Sequence, residues 1–139
     1  MSIYGVVTAT DGATRICVLE IAHPPPSLAQ LLPASGWRPF QCDPGVTQAA
    51  HNTPVAGLTM MLGGCMEISV TAGDLSRVAL VAGDVLILLD THGSGHATAI
   101  TGTDALRTIG VAFAPKDWPS IRDAFTGWPN QLVPPGQSP

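Results

Sequence analysis

Between Gly83 and His96 the chain makes a Gly-Asp turn and runs apolar at every position from Val85 to Leu89. It stops at Asp90 and passes a glycine-rich loop, Gly93-Ser94-Gly95, before reaching a histidine. An apolar run so short, bounded by turn signals and without alternation, is the pattern of a strand buried on both faces. The chain must therefore provide cover on two sides of Val85–Leu89. The loop that follows places His96 at the start of a new strand, at the mouth of something buried.

The rest of the chain is built of similar short pieces. Its 15 glycines and 13 prolines punctuate β-rich runs, the pattern of an all-β sandwich or barrel. Strands are expected at Ser2–Thr10, Thr14–Ile21, Gly36–Cys42, Ala56–Leu62, Cys65–Thr71, Leu75–Val81, Val85–Leu89, His96–Thr101 and Leu106–Ala114. In Cys65–Thr71 the alternation is clean: Met66, Ile68 and Val70 oppose Glu67, Ser69 and Thr71. His23 and its three prolines read as a solvated loop, with a helical turn over Ser27–Leu32. Near the end, Asp117 is a candidate N-cap for a short helix that presents Trp118, Ile121 and Phe125 on one face. The expected organisation is one domain over 1–126 and an irregular tail over 127–139, with Pro134–Pro139 unstructured.

Composition narrows the class. Hydrophobic residues make up 45% and charged residues 12%. So little charge leaves apolar surface for a second subunit to cover, and a homodimer is expected. A net charge of −4, with its six Lys and Arg scattered singly, argues against nucleic acid, which needs a basic patch. No run is long enough to span a membrane, and no basic region precedes an apolar core at the N-terminus. Three cysteines without CxxC spacing favour a reduced, cytoplasmic setting over a disulfide framework.

The spacing Gly45…His51 and the stretch Gly83…Gly93…His96 resemble the two motifs of the cupin superfamily. Thr53 stands where the first motif has its second histidine, and Leu58 near its glutamate. Thr91 and Ile100 replace the proline and asparagine of the second motif. The chain also resembles a group of small single-domain cupins over about residues 1–115. The matches are Ile3-Tyr4, His51 with Pro54, Leu62-Gly63-Gly64 with Glu67, and Gly83 through His96. The resemblance implies an all-β double-stranded β-helix, or jelly-roll barrel, with a short C-terminal helix and a pocket inside the barrel. It names no reaction. Family metal sites use three histidines and a glutamate, ligands suited to Fe, Mn, Ni, Zn or Cu. Of the four expected positions only His51 and His96 are occupied by ligands here. The expected cofactor is therefore none, or a weakly bound divalent metal held by His51, His96 and His92.

The expected pocket is lined by His51, Thr53, Leu58, Met60 and His96, with Trp37 as a further substrate-binding residue. Thr53 is expected to share a strand face with His51. His96 and His51 are the candidate catalytic groups, because imidazole titrates near neutral pH and serves as a general acid or base. The expected partner is a small organic metabolite, with an isomerase, cyclase or lyase type of step. The alternatives are a non-catalytic small-molecule-binding cupin and a metal-dependent enzyme. Glu67 reads as a solvated hairpin residue and Asp90 as an Asx-type organiser of the loop. Ser94 lacks the strand–turn–helix setting of a nucleophile elbow.

Overall fold

A computed structural model describes residues 1–22 and 31–139. His23 and most of the helical turn expected over Ser27–Leu32 fall outside the described residues. Strands follow one another as β1 (Ile3–Thr8), β2 (Thr14–Ile21), β3 (Gly36–Cys42), β4 (Thr47–His51), β5 (Gly57–Gly63) and β6 (Cys65–Ser69). They continue as β7 (Arg77–Val81), β8 (Val85–Leu88), β9 (His96–Thr101) and β10 (Leu106–Ala112). A turn of 3-10 helix leads into α1 (Trp118–Ala124), and β11 (Phe125–Thr126) closes the series.

The pairings are nested. β3 pairs with β10, β4 with β9, β5 with β8 and β6 with β7, all antiparallel. The strands divide into two sheets, β11-β2-β1-β8-β5-β10-β3 and β4-β9-β6-β7. Eight strands folded back on themselves as nested pairs across two sheets make a jelly roll. β1 and β2 extend one sheet through a parallel β1–β8 contact.

That extension explains the apolar run. Leu86 joins the cluster inside the barrel with Val6, Ile68, Leu80 and Ile100. Its neighbour Ile87 joins a second cluster with Val7, Leu19, Phe113, Trp118 and Ile121, outside the barrel and under α1. β8 is therefore covered on both faces, and each fully buried aliphatic side chain contributes about 1.5–3 kcal/mol.

Three local expectations change. The strand through His51 has no bounds in the sequence, because Thr47-Gln48-Ala49-Ala50-His51 has neither alternation nor a β-branched run; pairing with β9 sets them at Thr47–His51, short of Thr53. Asp117 occupies the N-cap position of α1 but makes no side-chain cap, and Phe125 has left the helix to pair with Ile21. Residues 127–139 contain no regular element, yet 134–139, expected to be unstructured, are tied down in part. Just before them Val133 N–H donates to the Thr8 carbonyl at 2.8 Å, and within them Gly136 N–H donates to Thr91 Oγ1 at 2.9 Å.

Candidate functional site

The loop between β8 and β9 brings His96 to the barrel interior. Gly93 and Gly95 adopt φ of 95° and 73°, a region side chains avoid. A Cβ on Gly95 would also lie 2.5 Å from the His51 carbonyl oxygen, so only glycine lets the loop pass β4 this closely. The loop is pinned to the start of β2: Gly95 N–H donates to Thr14 Oγ1, and Thr14 N–H donates to Ser94 Oγ. Ser94 is thus a structural acceptor.

Behind His96 lies Asp90, fully buried. Its Oδ2 stands 2.7 Å from His96 Nδ1, and its Oδ1 accepts the Thr53 hydroxyl at 2.7 Å. Thr53 N–H and Asn52 Nδ2 donate to the Asp90 carbonyl. Asp90 thus holds both the loop and the imidazole. A carboxylate accepts, so His96 Nδ1 carries the proton in this pair. His96 is only 3% exposed, yet its other nitrogen, Nε2, has no hydrogen-bond partner among the described residues and is not sealed off. It opens on the cavity.

His51 faces the same space. It is the register partner of His96 across β4 and β9, and the two ring centroids are 4.6 Å apart. Its Nδ1 lies 2.9 Å from the Ala49 carbonyl, which can only accept, so His51 too is protonated at Nδ1. In their neutral forms both imidazoles therefore present an Nε2 lone pair.

The cavity holds about 260 Å³. This is just under the ~300–1,000 Å³ of ordinary small-molecule sites. Leu86, Leu88, Ile100 and Leu106 supply apolar wall, and the hydroxyls of Thr47, Thr59, Thr98 and Thr108 interrupt it.

Several expected residues stand elsewhere. β4 ends at His51 and the chain turns away, so Thr53 does not share a strand face with it. Thr53 serves Asp90 instead. On β5, Thr59 faces the cavity, so Leu58 and Met60, one residue to either side, point to the opposite face. Leu58 packs against the outer cluster and Met60 is exposed. On β3 the same parity turns Arg38, Phe40 and Cys42 inward and leaves Trp37 72% exposed. Trp37, Thr53 and Leu58 border an adjoining groove of about 490 Å³. The groove is larger, but neither His51 nor His96 borders it. It shares Arg38, Thr59, Leu88 and Gly110 with the cavity. Asp90 and Arg38, which the sequence reading did not place at the site, are the additions. A signal for Asp90 was present: a carboxylate directly after a strand with both faces buried is itself buried and needs a partner.

His92 does not join the other two histidines. Its Nδ1 contacts Thr91 Oγ1 at 3.2 Å, and its carbonyl accepts the Thr8 hydroxyl. Among the described residues no group of three or more His, Cys, Asp or Glu is placed to hold a metal ion. The expected His51–His92–His96 ligand set is therefore not assembled. The four-ligand site that the sequence resemblance implies does not fit either, because among the described residues two imidazoles and no carboxylate line the cavity. Glu67 lies 3.5 Å from Arg77, away from it.

The nested strand order makes this a small jelly-roll barrel domain, the fold that the sequence resemblance implies. Solved structures similar to it include a Cupin 2 conserved barrel domain protein of Salinispora arenicola, 17% identical with a TM-score of 0.43. That match covers 76% of this chain and 82% of the other. The cupin domain of Schizosaccharomyces pombe Cnp3 is 15% identical with a TM-score of 0.46, over 89% and 90% of the two chains. A conserved Streptococcus pyogenes protein of unknown function is 21% identical with a TM-score of 0.40, over 58% of this chain and 64% of its own, just under two thirds. No protein-family model matches the chain, and no curated protein does. No helix among the described residues is long and apolar enough to cross a membrane.

Proposed function

We propose that this cupin-type domain is an enzyme that moves a proton on a small organic metabolite, in an isomerase, cyclase or lyase type of step. His96 Nε2 is the general acid/base and His51 the second proton-handling group. The observation that carries this reading is the buried Asp90–His96 pair, whose free Nε2 opens on the cavity. Asp90 is a positioning residue: it fixes the ring and its tautomer, and it offsets the positive charge when Nε2 takes a proton. General acid/base groups of this kind contribute about 10²–10⁴-fold to rate.

A non-catalytic binding role is the second reading, favoured by a cavity wall that carries no carboxylate among the described residues. A thermal-shift screen of small metabolites, with turnover assays on each stabilising compound, separates the two. The enzyme reading expects conversion of at least one compound, reduced about 10²-fold or more in His96→Gln with binding retained. Compounds that stabilise the protein and are never converted establish the binding module instead.

A homodimer belongs to the same proposal. Trp37, Met60 and Leu62 are exposed apolar residues on β3 and β5, strands of the same sheet, and a second copy would cover them. A cytoplasmic location accords with three free cysteines.

A further inference from the structure

We propose that the cavity takes a small organic monocarboxylate, with its carboxylate on Arg38 and its apolar body between the sheets. This deepens the functional reading and rests on it.

Among the described residues, Arg38 is the only Asp, Glu, Lys or Arg on the cavity lining. Among the described residues it makes no ion pair, and the stretch 23–30 contains no acidic residue that could supply one. Its guanidinium carbon lies 5.7 Å from the centroid of the Phe40 ring. Packing over an aromatic face steadies the guanidinium and leaves its N–H edge free for a bidentate acceptor. A cationic ligand would meet this charge unfavourably, and a neutral one would leave the fork unused. A carboxylate satisfies it with two parallel charge-assisted hydrogen bonds.

The rest of the lining sets the body of the ligand. From Arg38 the row across the sheet runs through Gly110 and Thr59 to Leu86. Beyond it the wall is mostly aliphatic. Arg38 comes from one sheet and the two histidines from the other. A carboxylate on Arg38 therefore has its neighbouring carbons in the space that both Nε2 atoms border. The small volume excludes a long chain.

The test is an NMR titration of the full chain, following the ring signals of His51 and His96. The probes are hexanoate, its neutral analogue hexanamide, and inorganic phosphate. Hexanoate is expected to move both ring signals and to bind about tenfold or more tightly than hexanamide. Arg38→Gln should bring the acid down to the amide, whereas Arg38→Lys, a charge without the fork, should keep part of the preference. Arg38 is exposed, so neither variant endangers the fold. Equal binding of acid and amide, or a preference that survives Arg38→Gln, overturns the proposal. So does phosphate binding as tightly as hexanoate without moving the rings, which is simple ion exchange. If acid and amide move the rings equally, the cavity reading stands and the carboxylate falls. If neither probe moves them in the millimolar range, both fall.

Discussion

His96 and His51 reach one cavity from paired strands of one sheet, but on supports of different construction. The support of His96 is assembled from a strand buried on both faces, a fully buried carboxylate and a loop clamped to β2 through Thr14. The support of His51 is β4, exposed along most of its length and held by strand pairing, with one side-chain contact to its own backbone at Ala49. The two rings are 4.6 Å apart and share a tautomer, yet one depends on a long-range buried pair and the other on a local carbonyl. In the proposed function, the deep support sets the chemistry, and the shallow one, with Arg38 on β3 of the facing sheet, sets what enters.

The sharpest way to break this contrast is Asp90→Ala. It strips a buried imidazole and a buried hydroxyl of their acceptor, and urea unfolding should show a loss of about 3–5 kcal/mol. His51→Gln should cost about 0.5 kcal/mol or less. Equal losses would mean the two supports are alike. Next is Gly95→Ala, which combines a positive φ with a Cβ against the His51 carbonyl, for about 1–3 kcal/mol. Gly36→Ala on β3, where a new Cβ meets nothing within 4 Å, should be close to neutral by the same measurement.

Asp90→Asn is gentler on stability and more revealing. The amide orientation that still accepts the Thr53 hydroxyl turns an N–H toward His96 Nδ1. The His96 proton should then move to Nε2, visible in imidazole nitrogen shifts, while His51 keeps its Nδ1 proton. An unchanged His96 tautomer would count against Asp90 as its positioning residue.

The smallest effect concerns the thiols. Burial raises the Cys17 thiol from its ordinary 9.0 to about 11, whereas Cys42 borders the cavity. Iodoacetamide mapped by mass spectrometry at pH 8 should mark Cys42 well before Cys17. Because the folded state keeps this proton longer than the unfolded chain, the Cys17 contribution is intact below pH 9. It is lost as pH rises through 11, and Cys17→Ala should flatten that decline.

The strand order was largely legible because turns and alternation are local. Val85–Leu89 announced its two buried faces, and the motif spacing singled out His51 and His96, whose rings stand side by side. The misplacements of Leu58, Met60 and Trp37 share one cause. In Gly57–Gly63 and Gly36–Cys42 apolar residues lie on both faces, so alternation does not say which parity looks inward. A one-residue slip then exchanges Thr59 for Leu58 and Met60, and Arg38 for Trp37. Thr53 and Asp90 are 37 positions apart, and their hydrogen bond exists only once β4 and β8 have been folded together. His92 sits beside the right loop, but its direction is decided by Thr91 and Thr8.

Gly110 gives the cavity an adjustable dimension. It borders both the cavity and the outer groove, its φ is not positive, and a new Cβ there would meet nothing closer than Arg38 at 3.9 Å. Larger side chains at this one position can shorten the chamber without disturbing Asp90, either histidine or the loop. Related chains could thus diverge in the size of molecule they accept while leaving the proton-handling pair untouched, and an engineer could use the same position to tune selectivity.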